Sequence, residues 1–267
     1  MLDIARTENT VLSLSFARRD RVRRDANLLE DFLVDFAQSN LEMSYGTPQV
    51  LPIPDELDPR IPRILFNSQH GFSQILVSQL TVSLQITYSP EWQVDKEKRR
   101  SYVIERAELL WRLCEALGVK EVFYSSFTDV ARVEAQTDDA SLINWLQEHF
   151  SMNAENEFPL HTFTIRTAAE VEGQFYYNFT IENYRDWSLS SPIAEDIRLP
   201  SQVAPARGVL ISGEFNDRHA WNERPDYFSS REATQEVIER GFTEMARRVR
   251  QLRLEDSLTQ EEENETV

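Results

Sequence analysis

The sequence predicts an α+β fold in which antiparallel sheets carry amphipathic helices packed on one face. Residues 80–88 and 175–181 alternate apolar with polar side chains, which is the period of a strand with one covered face. Residues 98–117 and 230–253 repeat apolar residues at the spacing of one helical face. Because a hairpin and a later amphipathic helix occur in each half of the chain, we expect two similar halves.

The first elements are a strand, a helix and an extended connection. Residues 12–16 alternate as a strand, and residues 28–36 have helical spacing, with Asp25 placed to cap that helix. Five prolines lie within residues 41–62. Proline fixes φ and lacks a backbone donor, so this segment is predicted to be extended.

A hairpin and a helix are predicted next. The two strands of the hairpin are residues 63–68 and 72–88, and the turn lies at His70 and Gly71. The helix over residues 98–117 ends where Gly118 tolerates a positive φ.

A strand at residues 119–133 and a short helix at 141–150 follow. A second hairpin pairs residues 160–167 with 174–183 through a turn at Glu172 and Gly173.

The last predicted elements are a strand at residues 209–215 and the longest helix, at 230–253. The apolar seam of this helix consists of Val237, Gly241, Met245, Val249 and Leu252. We therefore divide the chain into an N-terminal α+β half (residues 1–136), a C-terminal α+β half (137–254) and an acidic disordered tail (255–267).

Composition and charge favour some classes of protein over others. The 267 residues carry a formal net charge of −17, and an acidic surface repels phosphate, which disfavours nucleic-acid binding. The single cysteine, Cys114, excludes an internal disulfide and suits a reducing compartment. Residues 64–90 lack charge but contain many serines and glutamines, so no membrane span is predicted. We expect a cytoplasmic protein.

Three segments of the chain form a recognisable pattern. They are a strand at residues 119–127, a strand with a polar loop at 209–217, and a helix start at 229–232 followed by Gly241 and Phe242. This pattern resembles a prokaryotic protein family of similar length that is known for its sporadic distribution. The chain departs from the family pattern in the first strand, where Val122 and Phe123 replace a Leu-Arg pair. The resemblance implies an α+β fold and a prokaryotic origin; the family has no assigned activity to carry over.

Few motifs in the sequence carry recognisable chemistry. The seven glycines form no phosphate-binding loop, and we predict no cofactor and no catalytic residues. Glu214, Asp217 and His219 follow a predicted strand and are weak candidates for a metal site or a proton-transfer site. A solvated loop explains the same three residues.

Two groups of arginines and two tryptophans are the candidate binding residues. The candidates are Arg18, Arg19, Arg21, Arg23, Arg24, Arg247, Arg248, Trp187 and Trp221. The arginines either form one basic face that binds an acidic partner or nucleic acid, or pair with nearby carboxylates. The two tryptophans lie near predicted loops, where tryptophan is enriched in binding hot spots.

We predict a non-enzymatic binding protein of a prokaryotic cytoplasm whose partner is another protein. A link to mobile or defence genes is implied by the resembling family alone. The alternatives are a metal-dependent hydrolase or nuclease with an unrecognised acidic site, and a nucleic-acid binder that uses an arginine-rich face. The oligomeric state is left open.

Overall fold

A computed structural model describes residue 2 and residues 5–39, 44–150, 160–186, 204 and 206–265. These residues form nine strands and six α-helices. The strands are β1 (Arg6–Phe16), β2 (Gln49–Val50), β3 (Ile64–Asn67), β4 (Ser73–Val77), β5 (Thr81–Thr87), β6 (Val122–Glu134), β7 (Thr164–Val171), β8 (Phe175–Asp186) and β9 (Ala206–Asn216). The helices are α1 (Ala26–Ser39), α2 (Pro90–Gln93), α3 (Lys96–Ala116), α4 (Asp139–Phe150), α5 (Arg218–Glu223) and α6 (Arg231–Glu265), and a 3₁₀ helix (Val22–Asp25) precedes α1.

All nine described strands belong to one antiparallel sheet, which confirms the predicted α+β class. Their order is β2-β3-β4-β5-β1-β6-β9-β8-β7. β6 pairs with β9 along its length, across the boundary predicted at residue 136. The first predicted half thus supplies six strands of a shared sheet and the second supplies three.

The three long helices cover one face of this sheet. α3 packs on β1 and β5, α6 packs on β6 and β9, and α1 packs against α3. The apolar members of each alternating strand point to this face, and they form one core with the helices. The opposite face, which we call the open face, carries the alternate side chains.

The boundaries of α3 follow from its capping residues. The Asp95 carboxylate accepts a hydrogen bond from the Lys98 backbone N–H at 3.0 Å, which satisfies one free donor of the first turn. Gly118 has φ +70°, and the next amide, of Val119, donates to the carbonyl of Cys114 at 2.9 Å. This pattern is a glycine-terminated helix end, as predicted.

The predicted turn at His70 and Gly71 joins β3 to β4, and Gly71 has φ +78° there. The turn at Glu172 and Gly173 is confirmed: these residues have φ +56° and +60°, and the Gln174 amide closes the turn by donating to the Val171 carbonyl at 3.2 Å. The single strand predicted at residues 72–88 is wrong, because the chain reverses between β4 and β5. There the Ser78 hydroxyl accepts from the amides of Leu80 and Thr81 at 3.1 and 2.9 Å. Local bonds from a serine side chain compete with strand pairing and stabilise a turn.

Two predictions at helix ends also differ from the structure. Asp25 does not cap α1 but is the last residue of the 3₁₀ helix, and its carboxylate pairs with Arg19 at 3.7 Å. α6 continues to Glu265 through most of the predicted disordered tail. No glycine or proline follows Gly241, and leucine, glutamate and glutamine favour helix, so no local signal ends α6 earlier.

Asp129 is a carboxyl group on the core face of β6. It accepts a hydrogen bond from the Thr10 hydroxyl at 2.6 Å, and Tyr88 donates to Thr10 at 3.1 Å. Burial raises the pKa of Asp129 from 3.8 to about 6, against the opposing effects of the Thr10 hydrogen bond and the charge of Arg99. The folded state therefore favours the protonated form.

We expect the Asp129 carboxyl to stabilise the fold most at low pH. Its contribution is full below about pH 4 and is lost as pH rises through about 6, because the folded pKa lies above the unfolded one. The increase in the pKa of Asp129 on folding corresponds to a change of about 3 kcal/mol in the free energy of unfolding. Urea unfolding of the wild type and Asp129→Asn between pH 4 and 8 measures this change. As pH rises, the free energy of unfolding of the asparagine variant should increase relative to that of the wild type. A difference between the two proteins that stays constant with pH would contradict the expectation.

Candidate functional site

Three rows of polar side chains cross the open face of the sheet. The strand register places Tyr176, Asn216, Ser126 and Ser13 in the first row, Ala168, Asn178 and Glu214 in the second, and Tyr124, Ser15 and Thr81 in the third. Side chains directly opposite each other on one face are close neighbours. The rows therefore bring together residues of β1, β5, β6, β7, β8 and β9.

These rows line a cavity of about 550 Å³ together with Arg166, Arg218 and Asn222, and we call it the sheet groove. Arg166 and Thr81 lie on strands that are five places apart in the sheet, so the open face is concave here. The floor of the groove is deep. The Asn216 side chain is on the open face, yet this residue is only 3% exposed.

The floor residue Asn216 links the last strand to α5. Its amide nitrogen donates to the Glu214 carboxylate at 3.1 Å, and its amide oxygen accepts from the backbone N–H of Arg218 at 3.3 Å. The same amide group therefore fixes an acidic side chain of the groove and the first residue of α5.

Two arginines at the groove have no carboxylate partner in the described part of the chain. Arg166 and Arg218 are exposed, and no acidic oxygen of the described residues lies within 4.0 Å of either side chain. The Arg218 guanidinium instead lies 5.3 Å from the centre of the Tyr124 ring. Arg132, on the same sheet, is bound by Glu8 at 2.7 Å and Asp186 at 3.2 Å. With Glu214, the two arginines give the groove a formal charge of +1.

Asp217 holds α5 in position beside the groove. One carboxylate oxygen accepts from the Ser125 backbone N–H at 2.6 Å, and the other accepts from the Tyr227 and Ser229 hydroxyls at 2.7 and 2.6 Å. Burial raises the pKa of Asp217, while these hydrogen bonds oppose the rise. Both oxygens are thus occupied by protein donors, directly before Arg218 in the chain.

Aromatic contacts flank α5 on both sides. The His219 imidazole lies 3.3 Å from a Glu170 carboxylate oxygen and 4.9 Å from the Tyr176 ring centre. Trp221 stacks on Phe123, with ring centres 5.2 Å apart. Trp221 is half-buried by this contact, so it positions α5 as well as bordering the open face.

The structure does not bring the weak metal candidates together. Glu214 faces the sheet groove, Asp217 is fully buried by its hydrogen bonds, and His219 contacts Glu170 on β7. Within the described residues, no group of three or more histidine, cysteine, aspartate or glutamate side chains is placed to hold a metal ion.

The candidate arginines lie on separate elements, and most have partners. The contacts are Arg18 with Asp20 at 3.0 Å, Arg19 with Asp25 at 3.7 Å, Arg23 with Asp55 at 3.2 Å, Arg247 with Glu244 at 2.7 Å, and Arg248 over the Phe179 ring at 4.8 Å. Arg21 and Arg24 are exposed. No ion pair, hydrogen bond or ring contact joins the two groups among the residues for which the structure gives positions.

The second candidate tryptophan and the single cysteine complete the comparison with the sequence analysis. Trp187 lies outside the described residues. Cys114 is 1% exposed, and burial raises the pKa of its thiol to about 12, which keeps it protonated and unreactive.

Sequence reasoning missed most residues of the sheet groove. Arg166 and Asn178 were not singled out, although both lie in predicted strands, and Asn216 follows directly after the strand predicted at residues 209–215. The available signal was the set of uncharged polar residues on neighbouring strands, such as Ser13, Ser15 and Thr81, and it gave no indication of Arg166. An exposed strand face usually carries charges, so serines, threonines and asparagines there mark a special surface.

Comparison of the chain with models of known protein families, with curated proteins and with solved structures finds no match. Among the described helices, none combines the length and apolar character needed to cross a membrane.

Proposed function

We propose that this chain is a non-enzymatic binding protein that holds a small, hydroxyl-rich anion in the sheet groove. The observation that carries the proposal is the pair Arg166 and Arg218, which lack carboxylate partners in the described part of a strongly acidic chain. An anion placed between them would take the role that Glu8 and Asp186 have for Arg132. The predicted prokaryotic and cytoplasmic setting remains part of this proposal.

The size and shape of the groove favour a small molecule over a protein surface. Its volume of about 550 Å³ lies within the usual range for ligand pockets. The groove is concave, whereas interfaces between proteins are broad and need about 800 Å² on each partner. The predicted protein partner is thus less well supported by this site than a small ligand.

The charge of the groove favours an anion. Arginine presents a planar fork of donors that matches a carboxylate or a phosphate in two-point contact. The net charge of −17 repels anions in general, so a local excess of positive charge selects where an anion is able to bind.

The remaining lining favours a ligand with many hydroxyl groups. Serine, threonine and asparagine side chains supply donors and acceptors along the rows, and the two tyrosines supply ring faces beside them. A purely apolar ligand would leave these groups without partners, which costs free energy. A sugar phosphate or a sugar acid satisfies both the arginines and the amides.

The proposal assigns no catalytic step to the groove. The two acidic side chains nearest to it already accept protein hydrogen bonds, Glu214 from Asn216 and Asp217 from Ser125, Tyr227 and Ser229. Among the described residues, no group of three or more acidic, histidine or cysteine side chains is placed to hold a metal ion for hydrolysis.

Calorimetric titration with glucose 6-phosphate, glucuronate and glucose tests the proposal. We expect at least one of the two anions to bind, and glucose to bind at least about tenfold more weakly, because a charged hydrogen bond contributes roughly 1.5–3 kcal/mol. Arg166→Gln and Arg218→Gln should each weaken binding of the anion by about tenfold or more.

Arg24→Gln is the matched control, because Arg24 is exposed and lies on the 3₁₀ helix away from the groove. It removes the same charge and should leave the affinity unchanged. Equal losses in all three variants would show a general charge effect, and an absence of binding at millimolar concentration would refute the proposal.

A further inference from the structure

A second cavity lies on the helix-covered side of the sheet, where α3 begins. We call it the aromatic cleft, and it has a volume of about 640 Å³. It is bounded by the rings of Phe72, Trp92 and Tyr102 and by one column of α3, namely Glu97, Ser101 and Glu105. The basic side chains of Lys98 and Arg106, and His70, complete the lining. α3 packs on the core face of β1 and β5, so the cleft is separated from the sheet groove by the sheet itself.

The three rings form a packed trio. The ring centres of Phe72 and Tyr102 are 5.1 Å apart, those of Trp92 and Tyr102 are 5.5 Å apart, and those of Phe72 and Trp92 are 5.6 Å apart. These are contact distances for aromatic pairs, so no ligand enters between the rings. A bound molecule has to stack on their outer surface.

One wall of the cleft is fixed in advance. The Tyr102 hydroxyl and the Ser73 hydroxyl are 2.8 Å apart, and the Arg106 guanidinium lies 3.2 Å from the centre of the Tyr102 ring. Tyr102 is therefore held from both its hydroxyl and its face, while Phe72 and Trp92 are only half-buried. A rigid aromatic surface loses little entropy on binding a flat ligand.

The rim of the cleft offers hydrogen-bond acceptors. Glu97, Ser101 and Glu105 are four residues apart, so they lie on one face of α3. Glu97 and Glu105 each lie 3.8 Å from a neighbouring arginine, which is beyond hydrogen-bond distance. Their carboxylates, and the exposed Ser101 hydroxyl, therefore retain capacity to accept from a ligand.

We propose that the aromatic cleft is a second binding site, for a flat heteroaromatic ring that carries an N–H donor. The ring would stack on Phe72 and Trp92, and its N–H would donate to Glu97, Glu105 or Ser101. Glu97 and Glu105 are balanced by Lys98 and Arg106 in the lining, so the cleft has no formal charge, whereas the sheet groove carries +1. We therefore expect the cleft to take an uncharged ring and the groove an anion. The inference does not depend on the function proposed for the groove.

Titration with indole, followed by ligand-observed NMR, tests this site, and 1-methylindole is the matched probe that lacks the donor. We expect indole to bind and 1-methylindole to bind about tenfold more weakly, as expected for one hydrogen bond to a charged acceptor. Trp92→Ala should weaken indole binding by about tenfold through loss of stacking.

Ser101→Phe fills the cleft without removing any packing, since Ser101 is exposed. It should abolish indole binding, while Gln38→Phe, an equal change at an exposed position of α1, should not. Unchanged binding in Ser101→Phe, or no binding of indole to the wild type, would overturn the site. Equal binding of the two probes would overturn the role of the donor. Glucose 6-phosphate should not compete with indole.

Discussion

Replacing Arg63 with methionine is expected to lower the free energy of unfolding by about 4 kcal/mol, because buried acceptors lose a charged donor. Arg63 is 0% exposed. Its guanidinium donates to the carbonyl of Ile61 at 2.5 Å, and to those of Pro54, Leu57 and Asp58 at 3.1, 3.3 and 3.3 Å. Methionine keeps the length of the stem and removes all four bonds.

The loss of stability is partly offset, because burying the guanidinium charge of the wild type costs free energy of desolvation. The methionine variant has no such cost. The loss of four carbonyl partners outweighs it, since a buried acceptor without a donor costs about 1–3 kcal/mol. Urea unfolding measures the change, and amide hydrogen exchange should show faster exchange within residues 51–63. Arg60→Met, at an exposed position in the same loop, should change stability by less than about 0.5 kcal/mol. Equal effects at both positions would contradict this account.

Replacing Gly241 with valine is expected to lower the free energy of unfolding by about 3 kcal/mol. Gly241 lies inside α6, where the helix crosses β6 and β9. A Cβ at this position would lie 2.7 Å from Phe127 Cε1 and 3.0 Å from Phe215 Cδ2. Both phenylalanines are 0% exposed and pack on each other, with ring centres 6.3 Å apart. Because both rings are buried in the core, admitting the valine requires the rings or α6 to shift.

A side chain in place of glycine also gains helix propensity, which is worth less than about 1 kcal/mol and so does not offset the overlap. Gln235→Val places the same side chain at an exposed position of α6 and should cost only about 0.5 kcal/mol. Thermal and urea unfolding of the two variants compare them. A valine at residue 241 that leaves stability unchanged would show that α6 packs on the sheet more loosely than these distances indicate.

The period of the side chains was enough to predict the elements, but not how the elements meet. The alternation in β8 and the seam of α6 are local patterns, and both are confirmed. Strand order depends on contacts between distant segments, so nothing local indicated that β1 lies between β5 and β6. Gly241 was correctly placed in the apolar seam, yet the Phe127 ring that it faces is more than a hundred residues away in the chain.

The sequence indicated that the strands carry a polar face, but not which side chains line the sheet groove. The polar alternation of the strands was visible in the sequence, whereas the placing of Arg166 and Arg218 at one groove depends on the register of β7, β8 and β9. The burial of Arg63 could not be predicted from the sequence. An arginine is normally exposed, and only the converging carbonyls of a proline-rich loop make it a core residue here.

The position of β6 in the sheet has a consequence for folding during synthesis. β6 is complete at Glu134, and its partner β9 begins at Ala206. On a ribosome, one long edge of β6 therefore emerges with unpaired amides and carbonyls and remains so while α4, β7 and β8 are made. Such an edge invites pairing with other nascent chains. The last strand to be synthesised is the one that removes this hazard, because β9 closes the edge and α6 then covers its apolar side.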